Sequence, residues 1–499
     1  MQALDASAGG RADDEPGRDD TAVGIDPVPP GLRRLRAIDV GVLWGDLAVG
    51  VLVLAAGALM VTPIAAGGLG FDLRTALIAI VVGSVAGSLL LALVGLAGHD
   101  AGVPTMVLLR PVLGTAGSWL ASVVNVVQLI GWTAFEFWAM ALFANHVSQQ
   151  VFGFHAFTLW LIVVASGCTA LALLGPIRVV QAWLEKAGIW IVLVTCGYLT
   201  VYLVTKIDLG SLLTAPHSGV SFGLGVDLVV AQPVSWLPLV ADYNRFSAGR
   251  SQNFLGTLGG YSIGNIWFYG LGALLVLAAK LEDPSPAGIA AAVLGLSAGA
   301  VVGTLLLVSL LAGETDEAFA DIYSTVVSAQ NIVPGLPRRT AIISVGVAGA
   351  VIAGFVTVGN YQTFLFLLGS VFVPLFAVLL ADWCAGSLRR THRLRRLRWG
   401  DRGDRSDRGD RGPLGPRAPE PPLRPGMTLV WLLGIAEYHW IVPTGPSWWT
   451  DIVTKVPGAG KHTFLGASLP CFAVTFVSAL IVTAAVSRRG RREELLPQP

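Results

Sequence analysis

Several acidic residues fall inside long apolar stretches of this 499-residue chain, among them Asp46, Glu136, Asp227, Glu314, Asp316, Glu317, Asp321 and Glu437. A carboxylate in hydrocarbon is costly, so such a group must face water, pair with a partner, or be neutralised by something that arrives. No Lys, Arg or His lies near the middle of the first ten apolar stretches. A cation or a protonatable ligand is therefore the economical counterpart of these acids.

The densest set is Glu314, Glu317, Asp321, Ser324 and Ser328, spaced 3, 4, 3 and 4 residues apart. That spacing lines one face of a helix. Such a face cannot look at lipid, so it faces a wet cavity or the protein interior; for Glu314 and Asp316 a helix end dipping into water is the alternative. A second stripe runs through Asn125, Gln128, Trp132 and Glu136. A tryptophan one turn from a buried carboxylate suits a flat heteroaromatic ligand: the ring stacks while the acid accepts N–H groups. Interhelical bonding with Trp132 as packing is the plainer reading.

Two further stretches carry breaks. Trp44, Gly45 and Asp46, followed by Gly50, place a carboxylate beside glycine inside an apolar helix. Gln232, Pro233, Ser235, Trp236 and Pro238 put two prolines within another. Proline removes an N–H and frees a carbonyl upstream. Helices interrupted at corresponding positions of two halves point to a transporter site, although ordinary tolerated kinks look similar.

The elements that must position these residues are membrane helices. The chain is 54% hydrophobic and 13% charged, with 499 residues and a mean hydropathy of +0.68; a soluble domain carries about 25% charged residues. Stretches of about 20 apolar residues suit a bilayer. Twelve are expected, at roughly 38–63, 75–98, 114–147, 156–176, 180–204, 220–246, 256–279, 298–330, 340–358, 361–383, 427–444 and 464–486. The third and eighth exceed what a bilayer needs and are expected to be tilted or broken. Segment 284–297, too short to span, reads as an interfacial helix.

Arg33, Arg34, Arg36, Arg110, Arg178, Arg245, Arg250, Arg338 and Arg339 occupy every second loop, followed by an Arg-rich arm and an Arg-rich end. Lys and Arg mark the cytoplasmic side, so both termini are expected there, with the protein in the inner (plasma) membrane. The implied organisation is a disordered tail at 1–34, a ten-helix core at 35–383, a linker at 384–426, two further helices at 427–486 and a tail at 487–499. The two Arg-Gly-Asp triplets within 401–410 belong to this linker and read as solvated low-complexity sequence.

Other signals carry little. Gly260, Ser262 and Gly264 match a nucleophile-elbow pattern but sit in an apolar span without strand-turn-helix context. Gly83 and Gly87 suit close helix packing. His439, beside Glu437, reads as packing before it reads as a proton site. The four cysteines show no paired spacing, and no zinc or phosphate-loop motif occurs. Bond-breaking catalysis, a nucleic-acid partner and an obligate protein partner are not expected.

The chain resembles the nucleobase:cation symporter-1 family, in its branch of bacterial cytosine permeases and hydroxymethylpyrimidine transporters. The resemblance covers roughly 35–485. It rests on Gly131 and Trp132, on SWLPLVADYNRF at 235–246, and on DIYS at 321–324 running on to Asn331. It implies an all-α integral membrane protein of twelve helices: a five-plus-five inverted repeat of the leucine-transporter type plus two extra helices. It also implies that Trp132 stacks on substrate and that Glu136, where relatives often carry an amide, hydrogen-bonds it. An aromatic that some relatives place in the sixth span is Pro233 here, with Trp236 as a substitute. Relatives that use sodium place hydroxyls early in the eighth span; Thr315, Asp316 and Glu317 stand in that neighbourhood, which leaves sodium and proton coupling both open.

The expectation is a symporter of a nucleobase-like small molecule, driven by Na+ or H+ and needing no other cofactor or metal. Its substrate residues would be Asp46, Gln128, Trp132, Glu136, Gln232, Ser235, Trp236 and Asp321. Its coupling residues would be Gly45, Asp46, Thr315, Glu317 and Ser324. Purine, allantoin or hydantoin uptake by the same mechanism is the alternative, ahead of a passive channel or a membrane-embedded enzyme.

Overall fold

The structure is a computed structural model, and it describes residues 25–174, 189–216, 219–297, 300–386 and 421–494. Among these there is no β-strand, only an isolated bridge between Leu35 and Ser247.

The first apolar stretch is two helices, α1 (Ala37–Asp46) and α2 (Val51–Val61), bent by 62°. At the start of α1 the Asp39 carboxylate accepts the Arg36 amide at 2.8 Å. After Asp46 the backbone tightens, with Val49 N–H donating to the Asp46 carbonyl at 3.0 Å, and Gly50 is extended. Helices α3 (Leu73–Ala101), α4 (Thr115–Phe152), α5 (Phe157–Leu174) and α6 (Ile189–Lys206) complete the first half. Gly102 and Gly153, at φ of 74° and 66°, end α3 and α4 in the left-handed conformation that glycine adopts without a Cβ penalty.

The second half opens on another broken helix, α7 (Phe222–Ser235) and α8 (Val240–Asn244). Pro233 lies inside α7 and Pro238 in the turn that follows, so the interruption falls where backbone donors are missing. Then come α9 (Arg250–Ala279), α10 (Pro286–Leu296), α11 (Ala300–Ile332), α12 (Arg338–Ala353) and α13 (Val358–Cys384). Two more long helices follow, α14 (Pro425–Ile441) and α15 (Ser468–Glu494), with a short helical segment at Ser447–Val453 between them.

Helices occupy all twelve expected windows. By length and composition alone, five among the described residues can cross a membrane, or six when α1 and α2 count as one span. Several of the others fall short for local reasons. Helix α11 carries four acids, α7 stops at its break, and α12 has 16 residues. The long α4 and α11 are not broken: they run unbroken for 38 and 33 residues. Large apolar side chains such as Val127, Val194, Ile263 and Leu305 are exposed on outer faces, as lipid contact demands.

Residues 25–34 depart from the disordered tail expected at 1–34. Val28 is buried, its amide donates to the Gly102 carbonyl at 2.9 Å, and Arg33 Nη1 donates to the His99 carbonyl at 2.9 Å. The carbonyls at the end of α3 need donors, and this segment supplies them. The rest of that tail, and 387–420 of the linker, lie outside the described residues. Helix α10, read as interfacial, buries Ile289, Ala290 and Val293 between neighbouring helices.

Glycine decides how closely the centre packs. A Cβ on Gly256 or Gly264 of α9 would stand 2.6 Å from the Ala37 or Gly45 carbonyl oxygen of α1, and one on Gly260 would overlap the Gly41 carbonyl. Gly57 of α2 and Gly272 of α9 meet the Tyr269 and Leu54 backbones in the same way. Two of the nucleophile-elbow residues, Gly260 and Gly264, are thus contact points between backbones. Gly83 and Gly87 of α3 let Val229 and Pro233 of α7 approach.

Candidate functional site

The two polar stripes meet. Helices α4 and α11 run antiparallel, and their side-chain bonds advance in opposite directions along the two. Asn331 Nδ2 donates to Ser122 Oγ at 2.9 Å, and Asn125 Nδ2 donates to Ser328 Oγ at 2.7 Å. Gln128 Nε2 turns to the break in the second half and donates to the Ser235 carbonyl at 3.0 Å. Beyond Trp132, Glu136 meets Glu314 and Glu317, and oxygens of the three carboxylates lie within 4.8 Å of one another.

The break of the first span closes this group. Glu314 accepts the Val51 amide at 2.7 Å and 2.9 Å and the Leu52 amide at 3.4 Å. These are the first, otherwise unpaired donors of α2. The extended Gly50 carries no side chain: a Cβ there would stand 2.7 Å from Glu317 Oε1 and 3.0 Å from Glu314 Oε1. Glu136 Oε2 and Glu317 Oε1 have no hydrogen-bond partner in their buried positions. Asp46, at the end of α1, lies beside Asp316, and Asp46 Oδ2 and Asp316 Oδ1 are likewise buried without a partner. Asp321, one turn along α11, is near enough to Glu136 and Glu317 for their charges to interact.

Together the set offers oxygen acceptors and almost no donors. Its chemistry is that of a site for a hard cation, protons, or a ligand rich in N–H groups. No basic side chain among the described residues bonds Glu136, Glu314 or Glu317.

Trp132 is 5% exposed, and its ring lies edge-on to Phe364 at 5.3 Å and Tyr361 at 6.1 Å, both on α13. Gly131 gives Phe364 its room. Tyr361 also donates through its hydroxyl to the Leu52 carbonyl at 3.0 Å, joining this aromatic wall to the helix break.

The remaining expected residues are dispersed. Trp236 lies edge-on to Trp44 at 6.2 Å, in a cluster with Tyr243 and Tyr261, and does not face Trp132 among the described ring contacts. Ser235 Oγ donates to the Gln232 carbonyl at 2.6 Å, while Gln232 Oε1 stays unpaired. Thr315 Oγ1 bonds back to the Ala312 carbonyl at 2.7 Å within its own helix. Ser324 faces the Tyr243 hydroxyl without meeting hydrogen-bond geometry. Gly45 serves the α1–α9 contact.

Asp227 and Glu437 belong elsewhere. Asp227 accepts the Ala467 and Ser468 amides at 2.5 Å and 2.8 Å, capping α15, and Glu437 is half-buried on α14. His439 accepts the Trp449 indole N–H at 3.2 Å, which fits its reading as packing. The string at 235–246 is structural at its end: Asp242 accepts the Thr105 amide at 3.0 Å, and Asn244 accepts the Trp44 indole N–H at 2.7 Å.

A family described as permeases for cytosine/purines, uracil, thiamine and allantoin matches residues 27–395, well over half the chain. The chain belongs to this permease family. Cytosine permease of Escherichia coli K12 is 25% identical over 336 residues, covering 65% of this permease and 74% of that protein. The counterpart from strain O157:H7 has the same identity and coverage. In fold the permease is similar to Mhp1, a nucleobase-cation-symport-1 family transporter solved closed with bromovinylhydantoin bound. The TM-score is 0.70 at 16% identity, over 93% of this chain and 94% of that one. Mhp1 facing inward gives 0.68 at 14% identity, over 95% and 97%. The permease is thus an all-α membrane transporter of the five-plus-five inverted-repeat type.

Proposed function

We propose that this permease is a secondary active symporter importing a cytosine-like or hydroxymethylpyrimidine-type base together with a sodium ion or a proton. The observation that carries the reading is Trp132 one turn from Glu136 on α4, with Glu136 set against Glu314 and Glu317 of α11. The indole offers a face for a flat ring, and Glu136 accepts N–H groups from its edge. Gln128 and Gln232, each with an unpaired amide oxygen, are further acceptors. The coupling cation is drawn to the unpaired carboxylate oxygens of Glu317 and Asp46, because bringing several acids together in low dielectric is unfavourable unless a positive charge joins them.

Trp132 and Glu136 are both shut from solvent. A substrate therefore reaches them only when helices separate on one side at a time, which is alternating access. The permease works in the inner membrane with both termini on the cytoplasmic side.

The deciding experiment is uptake of labelled cytosine, uracil, hydroxymethylpyrimidine, hypoxanthine and allantoin by a transport-deficient host, under separately imposed sodium and proton gradients. The reading expects concentrative uptake of an amino-bearing pyrimidine under one of the gradients. Preference for hypoxanthine or allantoin would move the substrate class, and uptake that only equilibrates would make the protein a passive channel.

A further inference from the structure

We infer that Glu314 is a specificity-determining residue that fills, from inside the protein, the anion-accepting end of the broken first span. The inference rests on the substrate reading above and adds a selection rule to it: the permease takes rings without an acid group.

The start of a helix presents unpaired N–H groups and the positive end of its dipole, a ready place for an anion. In transporters with discontinuous helices such ends point at acidic groups of the substrate. Here Val51 and Leu52 already give their amides to Glu314, and Glu314 comes from α11, more than 260 residues away. The occupant is thus a side chain tethered to the opposite helix. Around it the lining is acidic too, since Glu136 and Glu317 lie within 4.8 Å of it and each keeps an unpaired oxygen.

A ligand carrying its own carboxylate finds the Val51 and Leu52 amides taken and like charges at Glu136 and Glu317. A neutral ring with N–H groups finds acceptors. Removing the Glu314 carboxyl would restore the vacancy. An acidic ring that placed its carboxylate there would reproduce the wild-type charge arrangement, so Glu136 and Glu317 would not forbid it.

The test uses the full chain, purified as wild type, Glu314→Gln and Glu314→Ala, with uracil, cytosine, hypoxanthine and orotate as probes. Orotate is uracil with a ring carboxylate. In Glu314→Gln the amide oxygen still accepts from Val51, so this variant is expected to ignore orotate as the wild type does. Glu314→Ala is expected to bind orotate at least roughly tenfold more tightly than the wild type. Wild type binding orotate as well as its best neutral base would overturn the assignment. So would a Glu314→Ala protein that binds the neutral base and gains nothing for orotate. If Glu314→Ala loses its melting transition, recovery of that transition by formate or orotate supports the assignment, and failure of both overturns it. A wild type that binds none of the bases removes the substrate reading instead, while rescue of Glu314→Ala by formate would leave the internal anion standing.

Discussion

The Glu314 carboxylate lies 2.7 Å and 2.9 Å from the amide nitrogen of Val51, across 263 residues of sequence. That contact ties the broken first span of one half to α11, the third span of the other, at the break between α1 and α2. An anion at a helix start contributes about 0.3–1 kcal/mol when exposed and up to ~2 kcal/mol when partly buried. The tie is therefore strong enough to matter and weak enough to be broken in a transport cycle.

Trp132→Ala should weaken base binding while leaving a folded protein, because stacking a base is worth roughly 1–3 kcal/mol. That is about 5-fold to more than 100-fold in affinity. Equilibrium binding on the purified variant, with its melting temperature as control, measures it. Unchanged affinity would reduce Trp132 to packing against Tyr361 and Phe364.

Glu136→Gln replaces a group that only accepts by one that accepts and donates. The variant should shift preference from amino-bearing rings toward rings presenting a carbonyl. Competition by cytosine, uracil, hydroxymethylpyrimidine and hypoxanthine reads this out, and an unchanged rank order would argue against direct contact.

Much of this site was legible in the sequence because helical spacing preserves which residues share a face. The stripes through Gln128, Trp132 and Glu136 and through Glu314, Glu317 and Asp321 do face each other. What spacing could not show is which of several acids on a stripe reaches the break. Asp46 lies beside Asp316, whereas Glu317 joins Glu136 and Glu314. Tyr361 and Phe364 escaped notice because α13 carries no charge near them, and an aromatic in an apolar helix reads as core. Trp236, offered in place of the family aromatic that is Pro233 here, packs edge-on against Trp44, a contact that helical spacing does not reveal.

Glu317→Gln and Asp321→Asn should each yield a transporter that equilibrates substrate and cannot concentrate it. Cation and substrate strengthen each other's binding by the same factor, so weakening the acidic cluster that draws the cation uncouples them. The accumulation ratio in proteoliposomes against an imposed gradient decides it. Wild-type accumulation by both variants would place coupling elsewhere.

A cysteine introduced at Ser406, within the Arg-rich linker, should resist an impermeant thiol reagent added to intact cells, since Lys and Arg mark the inner side. Ready labelling from outside would invert the proposed orientation.

Gly260→Ala should destabilise the fold by about 1–3 kcal/mol, the usual cost of overpacking. The new methyl meets the Gly41 backbone, which cannot rotate away as a side chain would. Gly259→Ala, one residue away and with open space around it, is the matched control. Equal melting temperatures for the two variants would show that α1 and α9 part more easily than their contact implies.

That contact has a mechanical consequence. Helix α9 touches α1 through Gly256, Gly260 and Gly264 and touches α2 through Gly272, so one unbroken rod is pressed along both sides of the fracture at 47–50. It acts as a splint. A fractured helix left to itself would swivel at the fracture, but a splinted one moves only as far as the splint bends. Opening toward either side of the membrane should then carry α1, α2 and α9 as one piece, with sliding at the α2–α11 contact.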